Sequence, residues 1–175
     1  MGSPKASTTL SLWNRKRDLF YFIFFAIHIP IVFLVDTVHL QPSFLTFNFS
    51  YDVRDFYFRN YQDKFFTETP PAWFQFFSYM ELYYHGPLSI WAVWALWKDD
   101  PMIPVHLLAF GIQSFVTTIV CLIEMWGWTD RTVSQKQQLS MLYTPYAALG
   151  GFIALDMIFR LRRQILSKSK RDKRE

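Results

Sequence analysis

The stretch "HIPIVFLVD", residues 28–36, places a carboxylate at the end of an apolar segment that is interrupted by a proline, Pro30. From residue 19 to residue 35 the chain contains no Asp, Glu, Lys or Arg. An apolar run of this length approaches the roughly 20 residues that a helix needs to cross a bilayer. The stretch therefore predicts a kinked membrane-spanning helix that ends on an acidic side chain.

Similar apolar runs make up most of the chain. Of its 175 residues 51% are apolar, and Phe alone occurs 19 times. The predicted spans are residues 19–40, 72–97, 102–125 and 138–161. Four such spans leave little chain for a soluble core, so we expect an all-α membrane protein, a four-transmembrane-helix bundle.

Prolines interrupt three of the predicted spans, at Pro30, Pro87 and Pro145. Each removes a backbone hydrogen bond and can kink its helix. Kinked helices can bow apart, so the pattern favours an intramembrane cavity in the bundle. The alternative is the ordinary tolerance of membrane helices for proline.

Positive charge gathers at both ends of the chain. From residue 156 onward the sequence has eight Lys and Arg against three Asp and Glu. By the positive-inside rule both termini face the cytosol. The predicted organisation is a cytosolic segment (1–18), a membrane domain (19–161) with a lumenal loop (41–71), and a basic cytosolic tail (162–175). The pI of about 9.2 then reflects membrane orientation, and nucleic acid is not an expected partner.

The predicted lumenal loop mixes aromatic and charged residues, as in "FLTFNFSYDVRDFYFRNYQDKFF" at residues 44–66. Aromatic rings settle at membrane interfaces, so we expect the loop to fold over the lumenal mouth of the bundle. It contains a glycosylation sequon at Asn48, whose use the sequence leaves open. The single cysteine, Cys121, supports neither an intrachain disulfide nor a cysteine metal site.

Four acidic residues fall within the predicted spans; Glu124 and Asp156 are interpreted as interfacial, whereas Asp36 and Glu81 are expected inside the bundle. Acidic side chains within a bilayer face the bundle interior, and two that meet there share one proton. One negative charge among aromatic rings suits a cationic amine. The alternative for Asp36 is an interfacial helix end. His85 lies one turn after Glu81 and is expected in the same cavity, with His28 and Tyr83 as weaker candidates.

Three blocks resemble the sigma-2 receptor family of EXPERA-domain membrane proteins, which are related to the sterol delta-8,delta-7 isomerases. They are "HIPIVFLVD", "PPAWFQFFSYMELYYHGP" at residues 70–87 and "LYTPYAALGGFIALDMIFRLR" at residues 142–162. The resemblance implies a four-helix protein of the endoplasmic reticulum with a lipid-accessible pocket. The sequence "RDKRE" at the C-terminus is similar to dibasic retrieval signals and favours the same location.

The resemblance also implies roles for individual residues. The carboxylate at Asp36 would pair with a cationic ligand, and a protonated Glu81 would hydrogen-bond to it. The family often has Gln where this chain has His85. Counterparts of further ligand contacts are Thr117, Thr118, Tyr143 and Tyr146, and Asp63 aligns loosely with an acidic loop residue.

The sequence supports several functions. The first is binding of a sterol or lipophilic cationic amine, with a role in sterol homeostasis or trafficking. The second is an interaction or quality-control factor for membrane clients or mistargeted mitochondrial precursors. Two membrane acids could also move a proton, so sterol isomerase activity is a third alternative, although we expect no enzyme and no catalytic residues. No cofactor and no metal site is expected. Membrane lipids are partners, and a membrane-protein client and a homodimer are left open.

Overall fold

Helices form all of the long regular elements in residues 11–172, the part of the chain that the computed structural model describes. No strand occurs in that part. Ten N-terminal residues and residues 173–175, which include the end of the predicted retrieval signal, lie outside it. The helices are α1 (Lys16–Ile31), α2 (Asn48–Tyr61), α3 (Lys64–Thr67), α4 (Ala72–Met80), α5 (Gly86–Lys98), α6 (Ile103–Gly127) and α7 (Val133–Asp172).

Two π-helical turns extend these helices. The turn Val32–Asp36 continues α1, and the turn Glu81–His85 joins α4 to α5. The backbone N–H of Thr37 donates to Val32 O at 3.0 Å, five residues back. The second turn directly precedes Gly86 and Pro87, and a proline ring cannot sit against the carbonyl four residues earlier. A wider turn relieves that clash.

Three helices are long and apolar enough to cross a membrane: Lys16–Asp36, Ile103–Gly127 and Val133–Lys170. The first ends at Asp36, before the predicted limit of residue 40, because Thr37 Oγ1 also donates to Val32 O at 2.7 Å and closes the helix. The last is longer than predicted at both ends. Residues 72–98 form a further helical run, interrupted only by the π turn.

Helices α6 and α7 approach closely at two glycines. A Cβ atom on Gly111 would lie 2.7 Å from the backbone nitrogen of Ala154, and one on Gly150 would lie 2.9 Å from that of Phe115. Side chains there would force the helices apart. The outward faces of both helices carry exposed apolar residues such as Ile123 and Leu155, as expected where lipid is the solvent.

An ion cluster ties α1, α5 and α7 together at one end of the molecule. Arg160 contacts both Asp18 and Asp156, and its Nε lies 2.9 Å from Asp156. Arg15 pairs with Asp18 at 2.6 Å and donates to Leu96 O at 2.7 Å. Asp18 and Asp156 are buried. Further members of the cluster are Arg17, Asp99 and the Tyr21 hydroxyl.

Two apolar clusters divide the interior. The first, near the ion cluster, includes Phe25, Leu96 and Phe110. The second includes Phe65 and Trp128 and joins α3 to α6 and α7 at the other end. At that end of the molecule the predicted lumenal loop is largely helical. Its helices α2 and α3 pack against the bundle.

Candidate functional site

A cavity of about 430 Å³ lies where the two apolar clusters meet. Its wall includes Phe24, which packs on the first cluster, and Phe74 and Cys121 from the second. The volume falls within the roughly 300–1,000 Å³ of small-molecule sites. Most of the lining is apolar, so the few polar groups that face the cavity would set the orientation of a ligand.

The two predicted carboxyls reach this cavity from the π turns. Asp36 is the last residue of one turn and Glu81 the first residue of the other, and both side chains line the cavity. π-helical turns occur frequently at functional sites because they re-aim side chains relative to an α-helix. The sequence pattern did not predict these turns.

Asp36 and Glu81 are half-buried and lie close enough to interact electrostatically. Within the described residues no hydrogen bond uses either carboxyl group. Buried acids without partners are costly in a low-dielectric site. The arrangement therefore leaves both groups available to a ligand that can donate hydrogen bonds or carry positive charge.

Two buried histidines line the cavity. His28 stacks on Phe24 with ring centroids 5.3 Å apart, and its Nε2 lies 3.5 Å from the Tyr146 hydroxyl. His85 packs on Phe110 at 4.6 Å. The Nε2 atom of His85 has no hydrogen-bond partner within the described residues. Both rings are held by aromatic packing and form part of the cavity wall.

The threonine pair of α6 faces the cavity with its hydroxyl protons already used. Thr118 Oγ1 donates to Ser114 O at 2.6 Å, and Thr117 Oγ1 donates to Gln113 O at 2.9 Å. Each hydroxyl oxygen retains lone pairs. In this arrangement the pair can accept a hydrogen bond from a ligand hydroxyl or ammonium group.

Asp63 does not line the cavity, but it holds two tyrosines that do. The hydroxyls of Tyr57 and Tyr143 both donate to its Oδ2 at 2.7 Å, and the N–H of Phe65 donates to its Oδ1 at 3.0 Å. Burial raises the pKa of Asp63, and these three hydrogen bonds oppose that rise. Burial and the Asp63 charge raise the pKa of Tyr57. The cluster fixes α2 and α3 against α7, so its role is to position the wall.

The cavity reaches the outer surface between α1 and α7. Ile27 and Ile31 of α1 and Leu142 of α7 line it, and each is more than 40% exposed. Apolar side chains at an opening suit an entrance from lipid. No group of three or more His, Cys, Asp and Glu in the described residues could hold a metal ion.

A profile of the EXPERA (EXPanded EBP superfamily) family matches residues 49–157. The chain belongs to the EXPERA family. This result confirms the resemblance seen in the sequence. The matched segment contains Glu81, His85, the threonine pair and the tyrosines of α7, whereas Asp36 precedes it.

Curated relatives include two fungal proteins and one vertebrate receptor. "Efficient mitochondria targeting-associated protein 19" of Schizosaccharomyces pombe is 27% identical, and the match covers 82% of this chain and 76% of the relative. The Saccharomyces cerevisiae protein of the same name is 24% identical, with 78% and 93% covered. "Sigma intracellular receptor 2" of Xenopus tropicalis is 28% identical, with 87% and 94% covered.

In this EXPERA chain the structure gathers most of the predicted site residues in one place. Those that line the cavity are His28, Asp36, Glu81, His85, Thr117, Thr118, Tyr143 and Tyr146. Tyr83 does not: it is 73% exposed and stacks on Tyr79 at 6.3 Å. Glu81 and His85 share a helical face, and a residue midway between them points to the opposite side.

Sequence reasoning missed Arg54. This side chain of α2 lines the cavity, and its Nη1 donates to Val35 O at 3.1 Å. Arg54 comes from the loop, whereas the predicted spans hold no Lys or Arg that could pair with Asp36. Its spacing with Tyr57, Phe58 and Tyr61 along one helical face is the signal that could have revealed it.

Proposed function

We propose that this chain is a four-span protein of the endoplasmic reticulum that binds a sterol or a lipophilic amine in its cavity. A role in sterol homeostasis or trafficking follows from that binding. The observation that carries the proposal is the pair of carboxyls, Asp36 and Glu81, presented by two π turns to one largely apolar cavity. The proposal assigns the cavity to binding and includes no catalytic step.

In this proposal residues 72–98 also cross the membrane, in addition to the three helices that qualify by length and apolarity. The run would be roughly 40 Å long at about 1.5 Å per residue, enough for the hydrocarbon core. Glu81 is its single acidic residue, and the wall of a cavity is where membrane proteins place such groups. Its ends contact opposite parts of the molecule, since Phe74 packs on Phe65 at 4.5 Å and Leu96 O accepts from Arg15.

The polar groups of the cavity support a ligand with one polar end. Asp36 and the threonine oxygens accept hydrogen bonds, whereas Arg54 and Tyr146 can donate them. A hydroxyl group both donates and accepts, and an ammonium group donates to the carboxylate. The apolar remainder of the ligand would occupy the aromatic wall and enter between α1 and α7.

Ligand binding tests the proposal directly. Purified protein in lipid nanodiscs is titrated with radiolabelled cholesterol. Thr117→Trp places a large ring in the cavity, whereas Val116→Trp, one residue earlier, places it on the half-exposed outer face. We expect saturable binding that Thr117→Trp weakens about tenfold or more, a loss of at least about 1.4 kcal/mol, and that Val116→Trp leaves intact. Equal binding by the two variants would place the ligand elsewhere.

A second candidate is a factor in mitochondrial protein targeting that acts on membrane clients or precursors. The names of the two fungal relatives favour it. The candidates separate in a budding-yeast strain that lacks its own relative and expresses this chain. If precursor delivery to mitochondria is restored by wild type and equally by Thr117→Trp, the targeting role does not need the cavity. If Thr117→Trp alone fails to restore delivery, the targeting role requires the ligand-binding cavity.

A further inference from the structure

Arg54 places a permanent positive charge in a cavity that was expected to be acidic. Its guanidinium donates from Nη1 to Val35 O at 3.1 Å, one residue before Asp36. It lies over the rings of Phe58 at 5.2 Å and Phe66 at 5.8 Å. A guanidinium remains protonated in proteins, so the cation is present at every physiological pH.

A neighbouring histidine helps to hold the guanidinium. Nη1 of Arg54 lies 3.3 Å from His39 Nδ1. Burial, together with the Arg54 charge, lowers the pKa of His39, so this nitrogen can accept the hydrogen bond at neutral pH. The remaining N–H groups of the fork are not needed for these contacts and are free to face Asp36 or a ligand.

Arg54 and Asp36 interact through the cavity without direct contact. No ion pair within 4 Å joins them, but burial lowers the pKa of Arg54 and the Asp36 charge opposes that shift. Opposite charges that line one largely apolar cavity attract each other more strongly than they would in water. A single negative charge on the two acids, Asp36 and Glu81, would be balanced by the Arg54 guanidinium, since all three residues line the same cavity.

We infer that Arg54 determines the ligand class by acting as the internal counter-cation of Asp36, so that the cavity prefers a neutral, hydroxyl-bearing lipid to an amine. This inference rests on the proposed binding function. A ligand ammonium meets Arg54, and a ligand anion meets Asp36. A hydroxyl group meets neither penalty and can bridge the two, accepting from the guanidinium and donating to the carboxylate.

Three ligands with one ring system test the inference. Cholesterol is neutral, its 3-amino analogue is cationic and its 3-sulfate is anionic. We expect wild type to bind cholesterol most tightly. Arg54→Leu should bind the amine about tenfold or more tightly than wild type does. Asp36→Asn should likewise bind the sulfate about tenfold or more tightly than wild type does. Cholesterol affinity should change less than either.

Two matched variants serve as controls. Arg54→Lys keeps the charge and should keep the wild-type order of affinities. Arg59→Leu removes an arginine of the same helix whose side chain is 82% exposed, and it should change none of the three affinities. An amine affinity that is equal in wild type and Arg54→Leu overturns the inference, as does a sulfate affinity unchanged in Asp36→Asn.

A measurement without ligand separates this inference from the proposed function. Melting temperatures of wild type, Arg54→Leu, Asp36→Asn and the double variant form a cycle. We expect the two single effects to be non-additive by about 2 °C or more. Additive shifts overturn the Arg54–Asp36 interaction. If none of the three sterols binds any variant, the proposed function is wrong and the selectivity assigned to Arg54 is wrong with it.

Discussion

Asp36 places a carboxyl group in an environment with few hydrogen-bond partners for it. It projects into a mostly apolar cavity, and within the described residues its carboxyl group makes no hydrogen bond. Arg54 supplies an opposite charge from the loop at more than contact distance. A carboxyl group in this position can bind a ligand more tightly than one whose hydrogen bonds are already made to the protein.

Replacing Asp36 by Asn should weaken the binding of a lipophilic amine. Removing one partner of a buried hydrogen-bonded charge pair typically costs about 2–5 kcal/mol. The expected loss is therefore roughly 30-fold or more, at about tenfold per 1.4 kcal/mol. Calorimetric titration of both proteins with the same amine measures it.

Glu124→Gln is the matched control for that titration. Glu124 is exposed, lies on α6 and does not line the cavity, so its neutralisation should leave the amine affinity unchanged. Equal affinities of wild type and folded Asp36→Asn would reduce Asp36 to an interfacial helix end, the alternative that the sequence leaves open.

At the scale of single residues, the sequence predicted the position of those side chains whose exposure to lipid costs free energy. A carboxyl group inside an apolar run must face the interior, so the amino-acid sequence alone was enough to place Asp36 and Glu81. The prediction for Tyr83 was wrong although the spacing was informative, because a residue two positions after Glu81 on a helix points away from the face that Glu81 shares with His85. Arg54 was missed because its position depends on how the loop folds.

The paired glycines set the distance between α6 and α7. Gly150→Ala would place a methyl group 2.9 Å from the backbone nitrogen of Phe115, and a backbone cannot move aside as a flexible side chain can. Overpacking of this kind typically costs about 1–3 kcal/mol. We expect a lower free energy of unfolding, measured by thermal or denaturant unfolding in detergent.

Gly127 provides the control at the end of α6, where an added Cβ meets nothing within 4 Å. Gly127→Ala should be neutral or stabilise by up to about 1 kcal/mol, because Gly is a poor helix former. A Gly150→Ala protein as stable as Gly127→Ala would show that the two helices are not in close contact there.

At the scale of helices, α1, α6 and α7 were readable because long apolar runs have few other outcomes. The π turns could not be predicted, because a hydrogen bond between residues i and i+5 forms only where a nearby proline and the surrounding packing together favour it. The predicted loop was correctly expected to fold back on the bundle. Its helices α2 and α3 depend on the Asp63 cluster, and one partner of Asp63 in that cluster, Tyr143, lies 80 residues away in sequence.

The ion cluster connects three helices and should contribute to the stability of the whole molecule. Arg160→Met removes the cation that contacts both Asp18 and Asp156, and it leaves two buried carboxylates less well paired. Breaking a buried ion pair in this way costs about 3–5 kcal/mol. We expect a clear fall in melting temperature.

Arg17→Met is the corresponding control. Arg17 pairs with the same Asp156, but its side chain is 68% exposed, and exposed pairs contribute about 0–1 kcal/mol. Similar melting temperatures of Arg17→Met and Arg160→Met would mean that the cluster is solvated and carries little of the stability.

The topology of the whole chain depends on whether residues 72–98 cross the membrane. The three helices that qualify by length and apolarity would by themselves put the termini on opposite sides. A fourth crossing returns both termini to one side. The ion cluster supports the second arrangement, because it brings Arg15, Asp99 and Arg160 to the same end of the molecule. Asp63 and its partner Tyr143 lie at the other end.

We therefore predict that both termini face the cytosol, in agreement with the excess of basic residues near each of them. Epitope tags at the N-terminus and the C-terminus should both be cleaved when protease is added to sealed microsomes. A tag inserted after Asp130, which pairs with Lys64 at the other end, should be protected until detergent is added. Protection of one terminal tag alone would give an odd number of spans. Residues 72–98 would then enter the membrane and return on the same side, and the carboxyl of Glu81 would approach the cavity from that re-entrant segment.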